Sequence, residues 1–178
     1  YDEAKQAALA RSQQFARVYL QDGRDLFDRA QTLLLRMAEE HAGHYPSGRD
    51  CSLAVQLQTR LNPEFKDMTL SLPDGRVLCG IPNRGAPLGA QPWFQEALRD
   101  QGLVVGRFQG AGEDGGARLP LALAVRGQDG KPRAVLSMSL DVSHLAGILE
   151  GQLLPAGAAA TIIDQQGLIL ARFPEEPA

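Results

Sequence analysis

Apolar residues recur at steps of three, four or seven over the first 42 residues, which is the period of an amphipathic helix. The residues that set this period are Ala8, Phe15, Tyr19, Leu26, Ala30, Leu33 and Met37. Such a helix would measure about 60 Å, more than one small domain can cover. We therefore expect part of it to project or to pair with a second helix. Gly23 is the predicted place for a kink or a helix-to-helix junction.

A second helix and a hairpin are predicted next. Asp50 is the expected N-cap of a helix that ends at Leu61. The apolar stripe of this helix consists of Leu53, Leu57 and Leu61. Apolar and polar residues then alternate over 67–72, and Pro73-Asp74-Gly75 supplies a turn before the return strand. The stretch TIIDQQGLILA at 161–171 repeats this hairpin pattern.

The middle of the chain predicts three more strands. A Pro/Gly loop at 82–92 precedes the helix WFQEALRDQG, closed by Gly102, and LVVGRF follows as a strand. Residues 119–142 then form two long strands joined at Asp129-Gly130, and HLAGILEGQL forms another helix. The second long strand has one apolar face, which predicts an antiparallel sheet covered chiefly on one side. Its polar face consists of Arg133, Ser137, Ser139 and Asp141.

This order of elements predicts an α+β fold. It contains one five-stranded antiparallel sheet flanked by helices, with a long N-terminal helix. The set is complete by about residue 145, so we assign 1–145 to a first lobe with its long helix. The repeated hairpin indicates tandem lobes, and 146–178 would be a linker helix and the first hairpin of a second, truncated lobe.

Composition narrows the possible functions. With 44% hydrophobic and 22% charged residues, the chain has the composition of a globular protein. A net charge of −3 and scattered basic residues give no reason to expect a nucleic-acid partner. The longest apolar run is too short to span a bilayer, and nothing resembles a signal peptide. We expect the sequence to be part of a longer protein.

Catalytic and metal-binding signals are weak. No nucleophile–base pair, phosphate loop or ligand cluster stands out, which predicts that this chain is not an enzyme and has no cofactor. His41 and His44 have the spacing of metal ligands but lack a third partner, so we expect a solvated loop and no metal.

The order of several motifs resembles a double Cache sensor region, the PAS-like (PDC-type) extracytoplasmic module of bacterial transmembrane receptors. The motifs are the long first helix, SLPDGRVLC, PWFQEAL, VVGRFQ, GKPRAVLSMSLDVSHL and LLPAGAAATIIDQQGLILARFP. The resemblance implies a periplasmic domain of an inner-membrane protein, held in the membrane only by flanking transmembrane helices. It implies a ligand site in lobe one. The cytoplasmic output would be a diguanylate cyclase or a sensor histidine kinase of a two-component system, or a chemotaxis domain.

The resemblance also implies a disulfide and a binding site. Cys51 and Cys79, the two cysteines, lie on elements that pack together in this fold, and an even count in an extracytoplasmic module favours a bond. A Cache pocket for an amino acid uses an Arg before an aromatic pair and an Asp at the end of the last strand. Trp93 and Phe94 match the pair, and Asp141 matches the Asp. Either aromatic residue is alternatively a core anchor, and we favour the pocket for Trp93.

Gln91 occupies the position of the Arg, so the expected carboxylate clamp is missing. Arg107 or Arg84 would supply the positive charge instead, and the predicted ligand is a small polar or anionic molecule. A direct Arg107–Asp141 ion pair that closes the site is the rival interpretation. We expect ligand sensing; the alternative is a ligand-free dimerisation and signal-relay ectodomain. In either case we predict a parallel homodimer through Phe15, Tyr19, Leu26 and Leu33 of the first helix.

Overall fold

The computed structural model describes residues 2–41, 48–80, 87–110, 116–150, 154, 157–163 and 167–174. The helices are α1 Asp2–His41, α2 Gly48–Leu61, α3 Pro92–Arg99 and α4 Val142–Glu150, with a 3-10 turn at Leu88–Ala90. The strands are β1 Phe65–Ser71, β2 Val77–Gly80, β3 Val104–Val105, β4 Arg118–Arg126, β5 Pro132–Asp141, β6 Ala160–Ile163 and β7 Ile169–Phe173. None of the described helices is long and apolar enough to cross a membrane.

The chain forms two compact units. One is Ala30–Val142, and the other combines Tyr1–Arg29 with Ser143–Ala178. The first unit contains a five-stranded antiparallel sheet in the order β2-β1-β5-β4-β3. The second contains the antiparallel pair β6–β7, which is the predicted second hairpin. The α+β fold with a five-stranded sheet is therefore confirmed. A truncated second lobe at 146–178 stays a prediction.

The first helix follows the predicted period. It continues through Gly23, so the expected junction does not occur, because a single glycine costs a helix only about 1 kcal/mol. Leu26 and Leu33 are buried within the chain itself. The side chains of Phe15 and Tyr19 lie outside the described residues.

The second helix differs from the prediction in its start and in its buried face. It begins at Gly48, ahead of the expected cap at Asp50. Cys51 and Val55 are buried, whereas the predicted apolar stripe is solvent-exposed. The members of that stripe are Leu53, Leu57 and Leu61. The reason is the Cys51–Cys79 disulfide, which turns the cysteine side of the helix to the sheet.

Both faces of the central strand β5 are covered, so the prediction of a sheet covered on one side is wrong. The row Cys79–Leu70–Leu136 lies on the side of α2. The row Thr69–Ser137–Ala122–Val104 lies on the opposite side, where Trp93 and Phe94 of α3 pack against Ala122 and Val135. The serines of β5 are small enough to lie beneath α3, which is why a polar face is buried.

The third strand is shorter than the predicted LVVGRF. It pairs with β4 only at Val104–Val105, and pairing resumes at an isolated bridge between Gln109 and Arg118. Gly106 still donates its N–H to the Pro120 carbonyl at 2.7 Å. The interruption carries residues 107 and 108 out of the regular ladder.

The predicted disulfide is confirmed. Cys51 of α2 is bonded to Cys79 of β2, with 5.8 Å between their Cα atoms. It fixes the short helix to the edge strand of the sheet.

We predict that the unreduced, denatured protein contains no titratable thiol. Replacing both cysteines by Ala should lower the free energy of unfolding by about 3.5 kcal/mol, because the unfolded chain regains the entropy of an open 28-residue loop. Urea titration of the two proteins measures this difference. Finding two thiols per chain without reductant would contradict the bond.

Candidate ligand-binding site

A cavity of about 50 Å³ lies between the sheet and the segment that enters α3. One water molecule needs about 10–15 Å³ of such a cavity, so there is room for roughly four water molecules. Its walls come from β1, β4, β5, the start of α3 and the segment after β3. The lining residues are Asp67, Thr69, Leu88, Gln91, Trp93, Gln109, Pro120, Ser137, Met138 and Ser139.

The floor of the cavity is a hydroxyl-bearing part of the sheet. Thr69 and Ser137 are cross-strand partners, and their hydroxyl oxygens lie 2.7 Å apart in a hydrogen bond. Ser139, two residues along the same face, is also buried. None of the described hydrogen bonds involves the Ser139 hydroxyl, which leaves this group to the cavity.

A bulge in β1 places Asp67 at the cavity. The pairing of β1 with β5 shifts between Lys66 and Thr69, and Asp67 has a φ of +53°. Asp is one of the few residues with a Cβ that adopts this left-handed conformation at modest cost. Bulges redirect side chains in this way, often beside functional sites.

Arg118 holds the bulge in place. Its Nε donates a hydrogen bond to Asp67 Oδ2 at 3.3 Å, and its Nη1 lies 3.6 Å from Asp141 Oδ2. Arg118 and Asp141 are direct partners in the β4–β5 ladder. Arg118 is only 8% exposed, so the three charged groups form a largely buried cluster at the end of the sheet.

Close backbone packing positions the segment before α3. A Cβ on Gly75 would lie 2.3 Å from the backbone nitrogen of Gly89. The hairpin turn and the 3-10 turn can therefore approach this closely only because both positions are glycine. Gly75 also has a φ of +88°, which its turn requires. Gln95 Nε2 donates to the Gly89 carbonyl at 2.8 Å. Gln91 then leads into α3, whose first residue is a proline.

Arg126 of β4 anchors the other end of α3. Its Nη2 donates to the carbonyls of Leu98 and Asp100, at 3.0 and 2.6 Å. These are carbonyls at a helix C-terminus, where a cation is favourable. Both ends of α3 are thus fixed to the sheet unit.

Trp93 is the aromatic wall of the cavity. It is 9% exposed and meets the ring of Phe94 edge to face, with 5.9 Å between centroids. Its other side packs on Gly106, where an added Cβ would lie 2.9 Å from the Trp93 Cβ. The indole Nε1 is buried and has no hydrogen-bond partner among the described residues. A buried N–H donor without an acceptor is uncommon in folded proteins.

The predicted site residues lie in different environments. Gln91 and Trp93 line the cavity, whereas Phe94 lies in the core beneath α3. Asp141 is paired with Arg118, and the rival Arg107–Asp141 pair does not form. Arg107 is exposed because it follows the edge strand β3, two strands away from β5. Arg84 lies outside the described residues.

Sequence reasoning missed four polar or charged residues of this region, namely Asp67, Thr69, Gln109 and Arg118. One signal for Arg118 was present. Arg118 lies eleven positions before Asp129, and Asp141 lies eleven positions after Gly130. In a hairpin that turns at Asp129-Gly130, these two residues therefore face each other across the two strands. Nothing in the sequence marks Asp67, because a bulge has no pattern of its own.

No group of three or more His, Cys, Asp and Glu residues within the described ranges could hold a metal ion. His44 and the side chain of His41 lie outside those ranges.

No protein-family model and no curated protein matches the chain. Solved structures do match. The ligand-binding domain of the Campylobacter jejuni chemoreceptor Tlp3, in complex with 4-methylisoleucine, is 17% identical over 88% of this chain and 66% of that one, with a TM-score of 0.70. The ligand-binding domain of the Pseudomonas fluorescens chemoreceptor CtaA, in complex with L-serine, is 18% identical over 87% and 67% of the two chains, with a TM-score of 0.69.

A third structure is the ligand-binding domain of the Pseudomonas aeruginosa amino-acid chemoreceptor PctC in complex with GABA. It is 20% identical over 82% of this chain and 66% of that one, with a TM-score of 0.62. These similarities confirm the fold expected from the Cache resemblance. The fold is that of ligand-binding sensory domains of receptors, and the chain spans about two thirds of their length.

We predict that Gly106→Ala displaces the indole of Trp93, because the new methyl group would lie about 3 Å from three atoms of that side chain. The expected cost is about 1–3 kcal/mol of unfolding free energy. Trp93 is the one tryptophan of the chain, so its fluorescence emission reports the shift directly.

Gly110→Ala is the matched control, since a Cβ there meets no atom of the described residues within 4 Å. It should leave the emission spectrum unchanged. An unchanged spectrum in Gly106→Ala would show that the indole does not pack on Gly106.

Proposed function

We propose that this chain is the extracytoplasmic ligand-sensing domain of a transmembrane signalling receptor, and that it binds a small polar molecule in the Trp93 cavity. The observation that carries the proposal is the buried Trp93 Nε1, which lacks a partner among the described residues and belongs to a side chain that lines the cavity. A ligand oxygen would accept this hydrogen bond. The related domains of known structure are in complex with the small molecules 4-methylisoleucine, GABA and L-serine, which supports the same role.

The other polar groups of the cavity favour a ligand of similar character. The hydroxyl of Ser139 and the amide of Gln109 make no described side-chain hydrogen bonds, and both residues line the same space. Leu88, Pro120 and Met138 supply the apolar part of the wall. A mostly preformed concave site with a few polar groups is the usual form of a small-molecule site.

The rest of the receptor is part of this proposal. A transmembrane helix would precede α1, and a periplasmic location in an inner-membrane protein would follow. The output would be a diguanylate cyclase, a sensor histidine kinase or a chemotaxis domain. Residues 146–178 would open the second Cache lobe of such a protein.

We predict that a thermal-shift screen of amino acids, organic acids and amines yields a ligand. Binding should raise the unfolding free energy by about 2.7 kcal/mol at a hundredfold excess over Kd. Trp93→Ala should abolish the shift. Trp93→Phe, which keeps an aromatic ring but lacks the N–H, should weaken binding about fivefold to tenfold, because one hydrogen bond is worth roughly 1 kcal/mol.

Arg107→Gln is the control. The exposed position of Arg107 predicts unchanged affinity, whereas a loss would revive the ligand contact expected from the sequence. Undiminished affinity in Trp93→Ala would mean that the ligand binds elsewhere. A screen without any hit would favour the ligand-free relay.

We further propose a parallel homodimer through the N-terminal part of α1. This helix has 40 residues. Leu26 and Leu33 are buried within the chain and are not accessible to a second protomer. Of the four residues expected to pair, Phe15 and Tyr19 therefore remain as the proposed dimer contact. Parallel pairing follows if both helices enter the same membrane at the same end.

In the intact receptor in membranes, Ser12→Cys should form a disulfide between two protomers, because position 12 shares a helix face with Phe15 and Tyr19 and equivalent residues of parallel helices lie side by side. Glu39→Cys, near the other end of α1, is the control. Non-reducing electrophoresis measures the product. Cross-linking only in mixtures of the two variants would indicate antiparallel helices.

A further inference from the structure

The charges around the Trp93 cavity are unbalanced. Among the described residues that line it, Asp67 is the one with a charge, and the others are neutral. Arg118, the cation that contacts Asp67, also contacts Asp141.

We propose that the cavity selects a small amine whose second polar group is a neutral oxygen, such as an amino-acid amide, and rejects the corresponding free carboxylate. This inference rests on the proposed function, since it names the ligand class for the same site. The amine donates to Asp67, and the neutral oxygen accepts from Trp93.

Asp67 is prepared to accept a hydrogen bond from the ligand. Its Oδ2 is bonded to Arg118, while its Oδ1 has no partner among the described hydrogen bonds. The bulge and the bond to Arg118 together restrict the carboxylate, so a ligand has little further ordering to impose on it. A hydrogen bond from an ammonium group to a carboxylate is among the strong ones.

The Trp93 end of the site is suited to a neutral acceptor. The indole N–H can satisfy one oxygen, but no described basic side chain lines the cavity beside it. A ligand carboxylate would therefore lose its hydration without gaining a counterion, and it would also be repelled by Asp67. An amide carbonyl has nearly the same shape and carries no net charge.

The size of the cavity limits the ligand. A cavity with room for roughly four water molecules can hold a ligand of only a few non-hydrogen atoms. Glycinamide has five, and glycine differs from it only in a carboxylate oxygen in place of the amide nitrogen. This pair isolates the effect of the charge.

The experiment is a titration of the purified protein with glycinamide, glycine and acetate, followed by the fluorescence of Trp93 and checked by calorimetry. We expect glycinamide to bind at least tenfold more tightly than glycine, and acetate to bind least. Asp67→Asn should reduce glycinamide affinity at least tenfold, because Asn keeps the size and tolerates the left-handed conformation but lacks the charge. Asp129→Asn, which alters an exposed ion pair with Arg133, should change nothing.

Gln91→Arg provides a second variant with an opposite outcome. It adds a cation to the cavity wall, so it should raise glycine affinity relative to glycinamide at least tenfold. This gain cannot result from misfolding.

Tighter binding of glycine or acetate by the unaltered protein would overturn the proposed ligand class and leave the sensing role intact. The same holds if the hits of the wider screen are carboxylates. Absence of binding by every compound in that screen would overturn the sensing role itself, and the ligand class with it.

Discussion

The guanidinium of Arg118 is the constraint on which the candidate site depends. Arg118 lies on β4, and it reaches past the end of β5 to the bulge in β1, contacting Asp141 and Asp67 on the way. Removing one partner from a buried charge cluster costs about 3–5 kcal/mol, because the remaining charges lose their compensation. Partial exposure of both carboxylates reduces that figure here. The cluster holds Asp67 in its left-handed backbone conformation, in which the residue lines the cavity.

The cavity follows from this bulge together with the fixed position of α3. The Gly75–Gly89 approach holds the segment before the helix, and Arg126 holds its far end. Trp93 is then confined between Phe94 and Gly106. Because these contacts hold α3 and Trp93 away from the sheet, the polar space above Ser137 and Ser139 stays open.

Hydrophobic period and turn residues were enough to predict most of the fold. The hairpin at Asp129-Gly130 even determines the Arg118–Asp141 pairing by simple counting. The predictions from the sequence were wrong where tertiary contacts decide which face of a helix or strand is buried. The disulfide turns Cys51 inward and the α2 leucines outward, and α3 buries the serine face of β5. Of the positions that the resemblance implied for the site, Gln91 and Trp93 line the cavity, and their contact with a ligand stays a prediction. The bulge that brings Asp67 to the same cavity depends on contacts made far along the chain.

In the proposed site, the indole N–H of Trp93 donates a hydrogen bond to the ligand. With one tryptophan in the chain, a nitrogen-15 correlation spectrum contains one indole N–H resonance. A ligand found by thermal shift should move this resonance in proportion to occupancy. The Kd from this titration should equal the Kd measured for the same ligand by calorimetry. A ligand that binds and stabilises the protein while the indole resonance stays in place would contradict the account.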